Sequence, residues 1–360
     1  MQITLSTKNF QKALMKAVKC ASCNKMIPLT NYLCISAKDG LLTITTTDAT
    51  NYLYVRENVQ SDEEFYAVVP VEVLYKLVDK TTVPQITFSV EDDIMTVNGN
   101  GDYKIALPLN EEGVTITYPN PLDACTNATE NSELSEQDAN RMIITARAST
   151  LKSKNMIGSC YSGYYVGDKI ITSDMVTICG IDTKLFDNSY LFRAETVELL
   201  PNLEFPARVN FFDNTVVFSS NSCTLLSTTL PNINEFQYDV ISSLLNSEFT
   251  GQCTVDKNTI LPALDRLSLF VDTYDDNTVK LTFTETGIDL QSKQSTSIEH
   301  IDCVVEPGSP NFTCYIVITA LINIIKAISS NTFSVEFGRD NSIKLCHDIT
   351  TQIIALEEVE

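Results

Sequence analysis

Lys8, Lys12, Lys16 and Lys19 recur every three or four residues in the stretch Thr7–Lys19, TKNFQKALMKAVK. At about 100° per residue these four ammonium groups fall within roughly a quarter turn of a helix. Phe10, Ala13, Leu14, Ala17 and Val18 occupy the opposite side, and only Met15 strays toward the lysines. The pattern predicts an amphipathic helix whose wet face carries four positive charges and no negative one. Such a face holds anions through flexible, hydrated point charges with no planar fork to lock them. The chain around it has a net charge of -21. On a single helix a solvated surface accounts for the lysines equally well, so their meaning depends on what the rest of the chain repeats.

Other residue types that could do chemistry have little to work with. Cys20-Ala-Ser-Cys23 is the only CxxC, and a zinc site would need two more ligands from His300, Cys303, Cys346 or His347, far off in the sequence. With only two histidines, nucleophilic Ser–His or Cys–His arrangements lack partners. No GxxxxGK[ST] or GxGxxG loop is present. The acids Glu91-Asp92-Asp93 and Asp275-Asp276 fall at turns between strand patterns and read as solvated charge. The expectation is a non-enzyme with no metal and no cofactor.

The elements that would position the lysines belong to a chain of 360 residues, 44% of them hydrophobic, enough for two or three domains. No apolar run approaches the roughly 20 residues that cross a bilayer, and MQITLSTKNF lacks a secretory pattern. Eleven cysteines, an odd number and scattered singly, read as reduced core residues of a cytoplasmic protein. The acidity argues against wrapping nucleic acid with the whole surface, but leaves room for a local basic channel.

One unit recurs along the chain: a short strand, a helix, then alternating strands. Helices are expected at Thr7–Lys19, at Val71–Lys80 behind Pro70, and from Ser135 to about Thr150, with Ser135 and Asp138 as a capping box. Three more are expected at Ala194–Leu200 before Pro201, at Asp256–Leu269 with Pro262 forcing a kink or a later start, and at Ile318–Ile328. Their starts are about sixty residues apart, the signature of repeated supersecondary units. Paired, six units make three domains, expected at 1–122, 134–243 and 247–360, with the polar stretch Asn120–Glu136 as a linker.

Segments across the whole chain, in this order and spacing, resemble the bacterial-type sliding clamp, the beta subunit of replicative DNA polymerase III. IPLTNYLCISAKDGLLTITTTDATNYLYV resembles the family's first-domain segment with its Thr-Asp pair, and FYAVVPVEVLYKLV its strand-Val-Pro-helix step. KIITSDMVTICGID resembles the second-domain strand, with Ser173-Asp174 where the pair belongs, and INEFQYDVI the junction into the third domain. FTCYIVITALINIIKAI resembles the final helix. The resemblance implies an α+β DNA clamp fold, three similar domains each of two strand-helix-strand-meander repeats, helices inside and sheets outside a ring. It implies a head-to-tail homodimer that encircles duplex DNA without sequence preference, and that tethers the replicative polymerase and clamp loader through short linear motifs.

On this reading the DNA-facing residues are Lys8, Lys12, Lys16, Lys19, Lys25, Lys76, Lys80, Arg141, Lys152, Arg266 and Lys326, with Lys257 a further candidate. Helix Ala194–Leu200 breaks the pattern with Glu195 and Glu198. The implied peptide cleft takes Ile157, Ser173, Thr177, Ile178, Val240, Ile241 and Leu356, although Met175-Val-Thr-Ile178 and the acidic end LEEVE depart from the family. The ring seam would set Ile105 and Leu107 of one subunit against Leu267, Leu269 and Phe270 of another. The rival expectation is a clamp-fold interaction scaffold that does not encircle DNA.

Overall fold

A computed structural model describes residues 1–59, 64–148, 159–174, 176–271, 277–292, 298–339 and 341–357, the side chains of 144–148 excepted. Six copies of one strand–helix–meander unit account for nearly every element. The first is β1 (Gln2–Ser6), α1 (Thr7–Ala17), β2 (Tyr32–Lys38), β3 (Leu41–Thr47) and β4 (Asn51–Asn58). The second is β5 (Phe65–Pro70), α2 (Val71–Asp79), β6 (Gln85–Glu91), β7 (Ile94–Asn98) and β8 (Asp102–Ala106). The third is β9 (Glu130–Leu134), α3 (Glu136–Ala148), β10 (Gly163–Val166), β11 (Ile170–Ser173) and β12 (Thr177–Ile181). The fourth is β13 (Tyr190–Arg193), α4 (Ala194–Leu199), β14 (Ala207–Phe212), β15 (Thr215–Ser219) and β16 (Cys223–Thr228).

A helix that the sequence reading did not expect, α5 (Tyr238–Leu245), precedes the fifth copy. That copy is β17 (Gly251–Asp256), α6 (Lys257–Leu267), β18 (Thr278–Phe283), β19 (Gly287–Ser292) and β20 (Ile298–Asp302), followed by the two-residue strand β21 (Val304–Val305). The sixth is β22 (Phe312–Val317), α7 (Ile318–Ala327), β23 (Thr332–Arg339), β24 (Ser342–His347) and β25 (Thr350–Ala355).

The local chemistry explains these boundaries. Lys38-Asp39-Gly40 closes a hairpin because Asp39 and Gly40 adopt φ of 50° and 76°, the left-handed pair that a two-residue turn requires. Ser135 Oγ accepts from the Asp138 N–H at 3.1 Å and donates to the Asp138 carboxylate at 2.7 Å, so the expected capping box forms at the start of α3. Pro262 does not delay α6; that helix starts at Lys257 and runs through the proline, with Asp256 capping the Asn258 N–H at 2.8 Å. Pro201 instead closes α4 with a single 3-10 turn, Leu200–Asn202.

The chain clusters into two compact units, Met1–Ala139 with Glu198–Thr229, and Asn140–Val197 with Leu230–Glu360. The first holds an eight-stranded sheet, β5-β2-β3-β4-β16-β15-β14-β9, and a four-stranded one, β1-β6-β7-β8. The second holds a nine-stranded sheet, β13-β10-β11-β12-β25-β24-β23-β17-β21, and a four-stranded one, β20-β19-β18-β22. Every pairing is antiparallel, and the leading strand of each repeat joins the meander of the adjacent repeat: β1 on β6, β5 on β2, β9 on β14, β13 on β10, β17 on β23, β22 on β18. Meanders meet edge to edge at β4·β16 and at β12·β25. The outer meander edges β8 and β20 have no neighbouring strand among the described residues.

Each unit buries a core under its helices. In the first, Phe10 of α1 packs edge-on against Phe88 of β6 at 5.1 Å, and Ala13, Leu14 and Ala17 complete the buried face of the helix. In the second, Ile260, Ala263, Leu264 and Leu267 of α6 and Leu321, Ile324 and Ile325 of α7 share one cluster with Phe283 and Phe337, whose rings stack at 4.1 Å. Seven of the eleven cysteines are buried in this way, and all are free thiols.

Candidate nucleic-acid face and partner groove

α1 ends at Ala17, and a 3-10 turn, Val18–Cys20, carries the expected helix on to Lys19; along the two, Lys8, Lys12 and Lys19 are exposed, opposite Phe10, Ala13, Leu14 and Ala17. None of these three lysines has an ion-pair partner among the described residues, and the same holds for exposed Lys25 and Lys80. Lys16 differs. Its Nζ lies 3.1 Å from Glu204 Oε1, in the segment after α4. Burial opposes ionisation of that carboxyl, but hydrogen bonds from the Ser222 and Ser220 hydroxyls, the Ser222 N–H and Lys16 outweigh it and hold the pKa down at about 2. Glu204 therefore carries full charge at neutral pH and cancels Lys16 locally.

α2 lies beside α1, fixed by Gln11 Nε2, which donates to the Val78 and Thr81 carbonyls at 2.8 and 3.0 Å and so closes the last turn of α2. Between the two helices runs a groove of about 280 Å³ lined by Lys8, Gln11, Lys12, Leu14, Met15, Tyr75, Val78 and Asp79. Lys76 is answered by Glu72 one turn earlier on its own helix.

The remaining cations are more committed. Arg266 forks onto Glu299 with Nε and Nη2 at 3.0 and 2.6 Å from its two oxygens, a bidentate pair that neutralises both. Lys326 lies 3.5 Å from Asp265. Lys257 is spent on the end of α7, donating to the carbonyls of Lys326 and Ile328. Arg141 is half-buried on α3, Glu195 and Glu198 are exposed on α4, and Lys152 lies outside the described residues. The neutralising acids Glu204 and Glu299 carry no helical-spacing signal and are far from their partners in sequence.

The described residues of the proposed groove lie around the β12·β25 junction and α5, within the second unit. Asp174 organises the turn between β11 and β12: its Oδ1 accepts from the N–H groups of Val176 and Thr177 and from the Thr177 hydroxyl, at 3.0, 2.6 and 2.9 Å. Asp48 does the same between β3 and β4 for the Thr50 N–H, the Thr50 hydroxyl and the Asn51 N–H, at 2.8, 2.9 and 2.7 Å. The Thr-Asp and Ser-Asp pairs are thus turn clamps. Ser173 and Thr177 are accordingly buried, and the Thr177 hydroxyl is used inside the turn.

The apolar surface here comes from other side chains. Val240 on α5 is 55% exposed and Val176 is 45% exposed, while Ile178 is half-buried beside Tyr161, Tyr238 and Leu244 over the core that contains Ile241 and Ile353. Leu356 is half-buried, with its N–H bonded to Asn341 at 3.0 Å, and Ile157 lies outside the described residues. Val176, Tyr161 and Leu244 are the contributors that sequence reasoning missed. The helical periodicity of Tyr238, Ile241 and Leu245 was the available signal.

At the free edges, Ile105 on β8 and Leu107 just after it are buried, whereas Tyr103 on that strand is 44% exposed. Leu267 belongs to the core of its own unit; Leu269 and Phe270 beyond it are 79% and 55% exposed. The CxxC splits, with Cys20 buried and its thiol pushed up to about 12 chiefly by burial, and Cys23 in solvent. No group of three His, Cys, Asp or Glu residues able to hold a metal occurs among the described residues, and no described helix is long and apolar enough to cross a membrane.

Residues 1–114 match the family model of the DNA polymerase III beta subunit, N-terminal domain. The whole chain superposes on solved sliding clamps: that of Pseudomonas aeruginosa with ligand (TM-score 0.84, 14% identity), that of Bacillus subtilis (0.82, 15%), and the DNA polymerase III beta subunit of Thermotoga maritima (0.81, 15%). In each case 100% of both chains is covered. No curated protein matches the chain in sequence. The fold is that of the bacterial sliding clamps, in a diverged sequence.

Proposed function

We propose that this chain, built on the sliding-clamp fold throughout, acts as a DNA sliding clamp. Two copies close head to tail around duplex DNA, and the ring tethers a replicative polymerase and its loader through the apolar surface beside α5. The observation that carries the reading is the pattern of strand edges. Within the chain, meander edges meet at β4·β16 and β12·β25, and the two edges left over, β8 and β20, are the pair that a second copy would complete in the same way.

The pairwise exchange of leading strands supports three clamp domains at 1–122, 134–243 and 247–360, joined where those edges meet. Lys8, Lys12, Lys19, Lys25 and Lys80 supply unpaired charge for phosphates. Their lysine character suits sliding, because single hydrated ammonium groups exchange phosphates readily. Binding of this kind needs neither a cofactor nor a catalytic group.

A second reading, a clamp-fold scaffold that binds proteins without encircling DNA, draws on the self-neutralised cations Lys16, Lys76, Arg266 and Lys326. Loading on a nicked circular duplex separates the two. A ring stays on the closed circle in moderate salt and is lost after the circle is cut. Retention that is indifferent to cutting, or none at all, leaves the scaffold reading.

A further inference from the structure

Cys253 and Cys303 meet at one edge of the nine-stranded sheet. β17 pairs with β21 so that Cys253 faces Val305 and Thr254 faces Val304, which places Cys303 diagonally across from Cys253 on the same face. Cys253 is fully buried in the core of the second unit, and half-buried Cys303 packs against that same core. The two thiols are neighbours, and each is the largest influence on the other's ionisation.

The surroundings distinguish the two sulfurs. His300, at the middle of β20, has Nδ1 2.6 Å from Asp289 Oδ1 and Nε2 3.4 Å from Asp302 Oδ1, and the Asp289 hydrogen bond chiefly raises its pKa and favours the imidazolium. The neighbouring Cys253 thiol, with the charge of His300 added, lowers the pKa of the Cys303 thiol from its ordinary value against the effect of its burial. Cys253 is pushed up by Cys303 and by its own burial. Cys125 and Cys346 are also half-buried, yet burial raises both. A partly accessible thiol whose ionisation is eased, beside a buried thiol, is the arrangement of an attacking and a resolving cysteine.

We propose that Cys303 and Cys253 form an oxidation site for hydroperoxides, closing to a disulfide. The Cys303 thiolate attacks one peroxide oxygen, the O–O bond breaks, and the leaving hydroxide takes a proton to depart as water, leaving Cys303 as a sulfenic acid. The Cys253 sulfur then attacks the Cys303 sulfur; the S–O bond breaks, and the second oxygen leaves as water with the Cys253 proton. Two thiols lose two electrons and two protons, and one peroxide becomes two waters. The sulfurs must close to a bond of about 2.05 Å. Cys303 lies just outside β21, whose ladder is two residues long, so the movement disturbs little pairing. The product would staple the chain leaving β20 to the nine-stranded sheet.

The test uses the reduced, full-length chain, exposed to hydrogen peroxide for graded times, quenched with an alkylating agent and mapped by mass spectrometry. Cys303 and Cys253 should lose alkylation together and appear as one cross-linked peptide, about tenfold faster than Cys125 or Cys346 lose theirs. In Cys253→Ser, Cys303 should accumulate as a sulfenic acid trapped by a 1,3-dione. Oxidation of Cys303 no faster than that of Cys125, or a product that links Cys303 to another cysteine such as exposed Cys23, would overturn the proposal. The kinetics on the unmodified chain decide it without any variant.

Discussion

Lys16 Nζ is held 3.1 Å from Glu204 Oε1, so the basic stretch Lys8–Lys19, α1 with the 3-10 turn after it, presents three free lysines rather than four. Glu204 is anchored by Ser220 and Ser222 and stays ionised down to about pH 2, so mild acid does not release Lys16. Removing the charge does. In Glu204→Gln, the dependence of DNA affinity on salt should steepen by about 0.9 in log–log slope, one extra phosphate contact. Slopes measured by fluorescence anisotropy on a duplex check this, and an unchanged slope means that Lys16 does not face DNA.

The three unpaired lysines of α1 and the 3-10 turn that follows it carry a larger expectation. Reversing Lys8, Lys12 and Lys19 to Glu together should abolish retention on nicked circular duplex at moderate salt. All three are exposed, so the melting temperature should stay near that of the unaltered chain. Retention at the level of the unaltered chain would remove α1 from the DNA face.

How much of this was legible in the sequence depended on range. Local signals carried the helices: the lysine periodicity gave α1, Pro70 marked the start of α2, and Ser135 with Asp138 marked α3. α5 was missed because its eight residues follow Gln237, which makes no side-chain cap, and INEFQYDVI was read only as the junction into the third domain. The neutralisation of Lys16 by Glu204 and of Arg266 by Glu299 was invisible, since charges counted on one helix face say nothing about acids that folding brings from 188 and 33 residues away. Ser173 and Thr177 looked like surface polar groups for a ligand; their burial follows from Asp174, whose carboxylate gathers the turn around itself.

That turn is a target in its own right. Asp174→Ala removes three acceptor contacts from partly buried donors and should cost about 2 kcal/mol of stability, the scale of hydrogen bonds to a charged group left unmade. Asp174→Asn keeps an acceptor in place and should recover part of the loss. Chemical denaturation measures both. Equal losses in the two variants would show that the contacts do not decide the stability of the turn.

His347 gives a pH signature. It is 6% exposed, neither ring nitrogen has a hydrogen-bond partner among the described residues, and burial lowers its pKa below the ordinary value of 6.5. Below about pH 6.5 the unfolded chain therefore takes up a proton that the folded chain resists, and stability falls as pH drops toward the folded pKa; above that range the group contributes no slope. His347→Leu should flatten the fall in melting temperature between pH 7 and pH 5 relative to the unaltered chain. A parallel pair of curves would show that the ring is charged in the fold.

The free edges yield the last expectation. β8 offers one side of its ladder to solvent with Tyr103 beside it, and β20 does the same with Ile298, which is 59% exposed. Leu269 and Phe270 are apolar surface that a lone chain gains nothing by presenting. If a second copy completes these edges, light scattering should give twice the 40.0 kDa chain mass at micromolar concentration. Lys104→Pro, at the middle of β8, removes a backbone donor from the edge and should shift the population toward monomer, as should Leu269→Asp with Phe270→Asp. Because Leu269 and Phe270 lie outside the buried core, their replacement should leave the melting transition of the monomer intact. A chain that runs as a monomer before any substitution would count against closure around DNA, while a dimer unaffected by both changes would place the seam elsewhere.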